Sequence, residues 1–192
     1  MNSENLGGKN MNTIKRNLLA LVTALALAAS AAVAAPVASG QQSNDVATMN
    51  QIRKKLVTLP YYGIFDNLSY KIEGNTVTLY GQVVRPSTRK DAERRVAKIE
   101  GVEQVINHIE VLPLSRFDDS IRVRTYRAIF RTGSLYRYAQ GANPALHIIV
   151  RNGHVTLEGV VANKGDSRLA YIMASQVFDV FSVTNNLRVE RD

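Results

Sequence analysis

Apolar residues fall into the same slots twice along this chain. Val77-Thr78-Leu79-Tyr80-Gly81-Gln82-Val83 returns 78 residues later as Val155-Thr156-Leu157-Glu158-Gly159-Val160-Val161. The offset holds further on, where Gly101-Val102-Glu103-Gln104-Val105-Ile106-Asn107 returns as Asp179-Val180-Phe181-Ser182-Val183-Thr184-Asn185. A shared spacing of that length marks a duplicated unit. Each copy opens with a helical stripe: Met49, Ile52, Leu56 and Leu59 in the first, and Val123, Tyr126, Ile129 and Phe130 in the second. Asp118-Asp119-Ser120 offers N-capping residues to the latter.

A hairpin follows. Asn152-Gly153 is a strong two-residue turn signal because both residues tolerate positive φ, and Gly74-Asn75 stands in the equivalent place. Counted from that turn, Leu146, Ile148, Val150, Val155, Leu157 and Gly159 share one strand face. His147, Ile149, Arg151, His154, Thr156 and Glu158 share the other, with His147 opposite Glu158 and His154 opposite Arg151. An apolar face backed by a mixed one predicts a sheet covered by helices on one side only.

Thr88-Arg89-Lys90-Asp91 then resembles a capping box with Asp in place of Glu. It precedes a narrow stripe of Ala92, Val96 and Ile99, whose counterparts are Ala170, Ala174 and Val177. Gly81 and Gly159 face those alanines, which predicts close backbone approach by the helix. A strand over Val105 to Val111, or Val183 to Val189, closes each unit. The expected class is α+β: two tandem α-β-β-α-β units, each a three-stranded mixed sheet with two helices on one face.

The first residues read differently. Lys15-Arg16 precede an uncharged run from Leu18 to Ala35, and Ala32-Val33-Ala34 resembles a cleavage site. Residues 1–34 are therefore expected to be a signal peptide, with Met1 or Met11 as the start. An uncleaved anchor is the alternative, since the run is almost long enough to span a bilayer. Residues 35–44 read as a linker, with Ser39 to Asn44 a flexible lead-in. The units are expected over 45–113 and 114–192. The short, partly apolar join from Leu112 to Phe117 predicts that they touch. The chain has no cysteine. Disulfides are thus excluded, as is a lipoprotein, whose lipid is carried on a cysteine.

The pattern V-x-L-x-G-x-V, a helix, then G-V-x-x-V-x-N-x-I/L-x-V resembles the BON domain of bacterial envelope proteins. The first copy matches throughout. The second departs at Asp179, where the pattern has glycine, and a different helix cap is expected there. The resemblance covers both units. It implies a secreted or periplasmic, non-enzymatic module associated with phospholipid surfaces, envelope integrity and osmotic stress. It supplies no ligand motif to carry over residue by residue.

Charge and candidate chemistry sharpen this picture. Lys and Arg number 24 against 16 Asp and Glu, for a net charge of +8, which suits anionic surfaces such as phospholipid headgroups. Only three histidines occur, His108, His147 and His154, too few for a convincing ligand set. No nucleophile elbow, phosphate loop, dinucleotide fingerprint or zinc motif is present, so no catalytic residue, metal or cofactor is expected. On a helix Arg124, Arg127 and Arg131 lie within about a 60° arc, readable as a headgroup-binding stripe or as an ordinary solvated face. Tyr136-Arg137-Tyr138 reads as a pair of interfacial anchors around a cation, or as rings plugging the core. Tyr61, Tyr62 and Phe65 read first as rings plugging the core, with interfacial anchors as the alternative.

Leu169, Ile172 and Met173 stand where the first copy has Asp91, Arg94 and Arg95. They read as the seam between the units, as a partner patch or as a dimer contact. Binding to anionic phospholipid through the second unit is the leading expectation. A protein-interaction adaptor of an envelope complex, working through Leu169, Ile172 and Met173, is the alternative. Nucleic acid is not expected as a partner, because the clamp loop of the small RNA-binding α/β folds is missing.

Overall fold

A computed structural model describes residues 39–141 and 143–190, with side chains from residue 46 onward. The signal peptide expected over 1–34 lies outside the described residues. In the first repeat, α1 (Ser39–Val57) precedes a hairpin of β1 (Asn67–Glu73) and β2 (Thr76–Val83). After α2 (Pro86–Val96), the third strand runs in two pieces, β3 (Gln104–Asn107) and β4 (Glu110–Val111). The second repeat repeats this order: α3 (Arg116–Phe130), a 3₁₀ turn (Tyr136–Ala139), β5 (Leu146–Arg151), β6 (His154–Val161), α4 (Lys164–Ser175), β7 (Ser182–Asn185) and β8 (Arg188–Val189). In each sheet the central strand pairs antiparallel with the hairpin partner and parallel with both pieces of the third strand. This is the expected α+β class, with the mixed three-stranded sheet in each repeat.

The break in the third strand is made by one side chain. Asn107 Oδ1 accepts from Ile109 N, while its amide donates to Arg89 O and to Glu93 on α2. Asn185 does the same, accepting from Leu187 N and donating to Ser167 O and Oγ on α4. The side chain stands in for a ladder acceptor that the kink gives up, satisfying the amide of Ile109 or Leu187.

Both hairpins turn in two residues. Asn152 (φ 51) and Gly153 (φ 81) are both left-handed, as a type I′ turn requires, whereas only Gly74 (φ 58) is so in the first turn. Gly81 and Gly159 serve a different purpose from the one expected. A Cβ on Gly81 would stand 2.0 Å from the carbonyl oxygen of Asn67, and one on Gly159 2.1 Å from that of Ala145. The obstacle is the neighbouring backbone along the hairpin, and both glycines take a positive φ near 120°. They admit a local strand distortion, not a close helix.

The helix starts also differ. The lead-in expected over Ser39 to Asn44 belongs to α1. It contains no proline, and its Ser, Gln and Asn residues each cost under about 1 kcal/mol in a helix. Ser115, not Asp118, caps α3, its hydroxyl accepting from Asp118 N at 3.1 Å. Pro86 starts α2 before the expected capping box, since proline is preorganised for the first helical position. Thr88 is consequently buried inside the helix. Asp179 keeps the left-handed backbone (φ 68) that Gly101 has in the first copy (φ 86), so the expected change of cap does not occur. Aspartate tolerates that region better than most residues.

The two cores are separate clusters. Ile52, Leu56, Val77, Leu79, Val83 and Ala92 centre the first; Ile121, Ile129, Leu146, Ile148, Leu157 and Ala170 centre the second. Both repeats nevertheless lie in one compact body. Their seam is the loop before β1 laid against β5. Ile148 N donates to Ile64 O at 2.8 Å, and the Tyr62 and His147 rings lie 5.7 Å apart. The His147 ring meets Gly63 O at 3.3 Å, while Ile64 and Phe65 pack onto the second core. Phe65 also meets Tyr126 edge-on at 6.4 Å. Burial pushes the Tyr62 phenol up to about 12 and the His147 imidazole below its ordinary value.

The seam therefore covers the mixed face of the second sheet, where His147 and Ile149 are buried. It is not formed by Leu169, Ile172 and Met173. Leu169 and Met173 pack onto the core of their own repeat, and Ile172 is exposed.

Candidate functional site

The hairpin turn of the second repeat is held from beneath by a buried carboxylate. Asp118 accepts from Asn152 N at 2.9 Å and from Gly153 N at 2.8 Å. Beside it the buried Arg122 donates to Val150 O at 2.7 Å and to Asp119. These contacts turn α3 so that Asp118, Ile121, Arg122, Thr125 and Ile129 face inward. Val123 and Tyr126, which the apolar pattern places on the inner stripe, are instead exposed. A polarity pattern reads Asp118 and Arg122 as outward residues and so rotates the helix.

Over this turn stand two phenylalanines. Phe117 and Phe181 lie 5.9 Å apart, and His154 meets Phe181 edge-on at 5.9 Å. Gly153 leaves room for them: a Cβ there would fall 2.7 Å from the Phe181 ring and 3.2 Å from Phe117. Phe178, three residues before Phe181, has the Arg124 guanidinium 5.8 Å from its ring. The rings remain in solvent, with Phe178 77%, Phe181 68% and Phe117 41% exposed. In the first repeat the matching positions of Phe178 and Phe181 are Glu100 and Glu103. Glu103 accepts from Asn75 Nδ2 at 2.7 Å, across the equivalent turn.

The expected arginine stripe is divided. Arg124 is ion-paired with Asp179 at 3.0 Å and touches Ser120 Oγ at 3.2 Å. Arg127 and Arg131 are exposed and make no ion pair among the described residues. Arg137 is committed to the fold. It donates to the Tyr138 hydroxyl at 2.9 Å and to the Asp166 carboxylate, and these bonds hold its pKa above the ordinary value.

Tyr138 is buried. Its hydroxyl donates to Asp166 at 2.6 Å and accepts from Ala162 N at 2.9 Å. The Tyr138 bond, followed by those from Arg137, holds the Asp166 carboxyl below the usual range. Of the six residues expected to bind anions, Arg127, Arg131 and Tyr136 keep a free surface, whereas Arg124, Arg137 and Tyr138 are engaged within the protein. No cluster of three or more metal-ligating side chains occurs among the described residues. Nor is any described helix long and apolar enough to cross a membrane.

Sequence reasoning did not single out Phe117, Phe178 and Phe181. The signal was available for two of them. A position filled by glutamate in one copy is a surface position in the other, and an aromatic there is exposed.

Comparison with known proteins adds the following. No curated protein matches the chain. Two solved structures of CdsD, a structural protein of the type III secretion system of Chlamydia trachomatis, are similar to it at 10% identity and a TM-score of 0.27. One covers 76% of this chain and 93% of its own; the other, the C-terminal domain, covers 73% and 96%. A TM-score that low carries nothing further. The second family match begins after α3, the helix whose buried face carries charge. The BON domain matches at residues 44–113 and again at 132–191, more than half of the sequence, and the chain therefore belongs to the BON domain family.

Proposed function

We propose that the protein is an exported component of the bacterial envelope that attaches to anionic phospholipid surfaces through its second repeat. BON domains are generally non-catalytic and act by binding, which supports an attachment role. Export rests on Lys15-Arg16 and the uncharged run behind them, the layout of a signal peptide. It places the protein in the periplasm or outside the cell, where the family's association with envelope integrity under osmotic stress applies.

The observation that carries the reading is the exposed trio of Phe117, Phe178 and Phe181, in a copy whose twin carries glutamates at two of the three positions. Exposed aromatic rings on α3 and on the segment after α4 suit the boundary between headgroups and acyl chains. The free guanidiniums of Arg127 and Arg131 supply attraction to anionic lipid, and the sequence after residue 34 stays basic, with 21 Lys and Arg against 15 Asp and Glu.

Flotation with phosphatidylglycerol-containing and purely zwitterionic vesicles, at low and high salt, tests it. Binding should favour anionic vesicles, weaken with salt and be lost in a Phe178→Glu, Phe181→Glu double variant. Equal binding to both vesicle types, or full binding by the double variant, would sink the proposal.

A further inference from the structure

The seam between the repeats leaves two clefts, and they differ in charge. One is lined by Glu110, Arg151, His154 and Glu158 among others, and Arg151 is ion-paired with Glu110. It neutralises itself. The other is larger, about 620 Å³, and among the described residues its only charged lining residues are Arg53 of α1 and Arg188 of β8. Among the described residues neither guanidinium has an ion pair or hydrogen bond, and no carboxylate lines the cleft. Arg188 occupies the slot that Glu110 fills in the first repeat. Duplication has thus set a carboxylate against an arginine on one side of the seam and left two arginines uncompensated on the other.

The rest of the larger cleft is half apolar. Leu56 is buried at its floor, and Leu68 and the Tyr62 ring line the first repeat's side. Val160 faces them from the second repeat. Two like charges in a concave, partly apolar site raise the local positive potential and favour a counter-ion. Guanidinium groups match phosphate oxygens through forked hydrogen bonds. A bare anion would leave the apolar wall unused, and a neutral tail would leave the arginines unmatched. The volume suits one small molecule.

We infer that this cleft binds a single-chain alkyl phosphate, its headgroup between Arg53 and Arg188 and its first methylenes against Leu56, Leu68 and Val160. The site takes one molecule out of solution or out of a bilayer. It is separate from the phenylalanine surface and does not depend on it.

Calorimetric titration of the full chain tests this, using dodecyl phosphate below its micellar concentration, inorganic phosphate and dodecyl maltoside. Dodecyl phosphate should bind saturably, and each of the other two at least about tenfold more weakly, because each lacks half of the match. An Arg53→Gln, Arg188→Gln double variant should lose at least about tenfold in affinity, the scale of a charge-assisted contact. Its circular dichroism should be unchanged, and it should still float with anionic vesicles. Lys98→Gln, an exposed charge that does not line the cleft, should bind dodecyl phosphate like the parent. The inference is overturned by absent or non-saturable binding, by inorganic phosphate or the maltoside binding as tightly, or by a well-folded double variant with the parent's affinity.

Discussion

In the first repeat the amide of Val84 donates to the Asp66 carboxylate at 2.7 Å; in the second, the matching amide of Ala162 donates to the Tyr138 hydroxyl at 2.9 Å. Asp66 is a self-contained device that also accepts from Gly63 N at 3.0 Å. Tyr138 is one link in a chain running through Asp166 to Arg137 and the cap of α4. Both satisfy an amide at the end of the central strand. The fold demands a partner for that amide and not a particular residue. The comparison separates two kinds of position: those where both copies hold the same residue because the backbone leaves no choice, and those where each copy solved the problem for itself.

The glycines belong to the first kind. Gly81→Ala and Gly159→Ala should each cost about 3 kcal/mol or more in urea unfolding, since each adds a backbone clash to a forbidden φ. Tolerance at one site only would show that the repeats do not share this constraint. Asp118 belongs to the second kind. Asp118→Ala leaves two amides of the second turn without their acceptor and should cost about 2–4 kcal/mol by the same measurement. The Tyr138→Phe change removes one hydroxyl and should cost about 1–2 kcal/mol. Exchange of the Ala162 amide with deuterium should speed up, while that of Val84 should not.

Acidity provides a gentler probe. His147 is held neutral by burial at the seam, so the unfolded chain takes up its proton more readily than the folded one. Stability from this group is complete above about pH 6.5, its ordinary value, and falls as pH drops below it. Asp66 sits nearby with its pKa raised, chiefly by burial, and works in the opposite direction: its protonation favours the folded form. A His147→Gln variant should flatten the stability profile just below about pH 6.5. A parent-like slope there would remove His147 from the account. Smallest of all, the Phe178→Glu, Phe181→Glu pair should change stability by under about 1 kcal/mol, since both rings are mostly exposed.

The frame was legible in the sequence because period-2 and helical spacings survive duplication. The hairpin register, the split between strand faces and the narrow alanine stripes follow from them. Less legible were charges placed inside. Asp118 and Arg122 face inward because backbone groups of the hairpin await them, and no apolar pattern encodes that. The seam was missed for a related reason. The mixed strand face holding His147 and Ile149 looks solvent-facing until a loop from the other repeat is laid across it. The arginine stripe was visible, but ion pairing divides it: Arg124 finds Asp179 55 residues away along the chain. The phenylalanines were hidden by composition, since an isolated Phe reads as core.

The bond from Ile148 N to Ile64 O seals the outer edge of the second sheet with a loop from the first repeat. Separated at the join near Pro113, the second half would carry β5 as a bare strand edge beside newly uncovered apolar side chains. Such an edge recruits further strands from other molecules. The first repeat thus shields the second from self-association, and a truncated second half would be prone to aggregate.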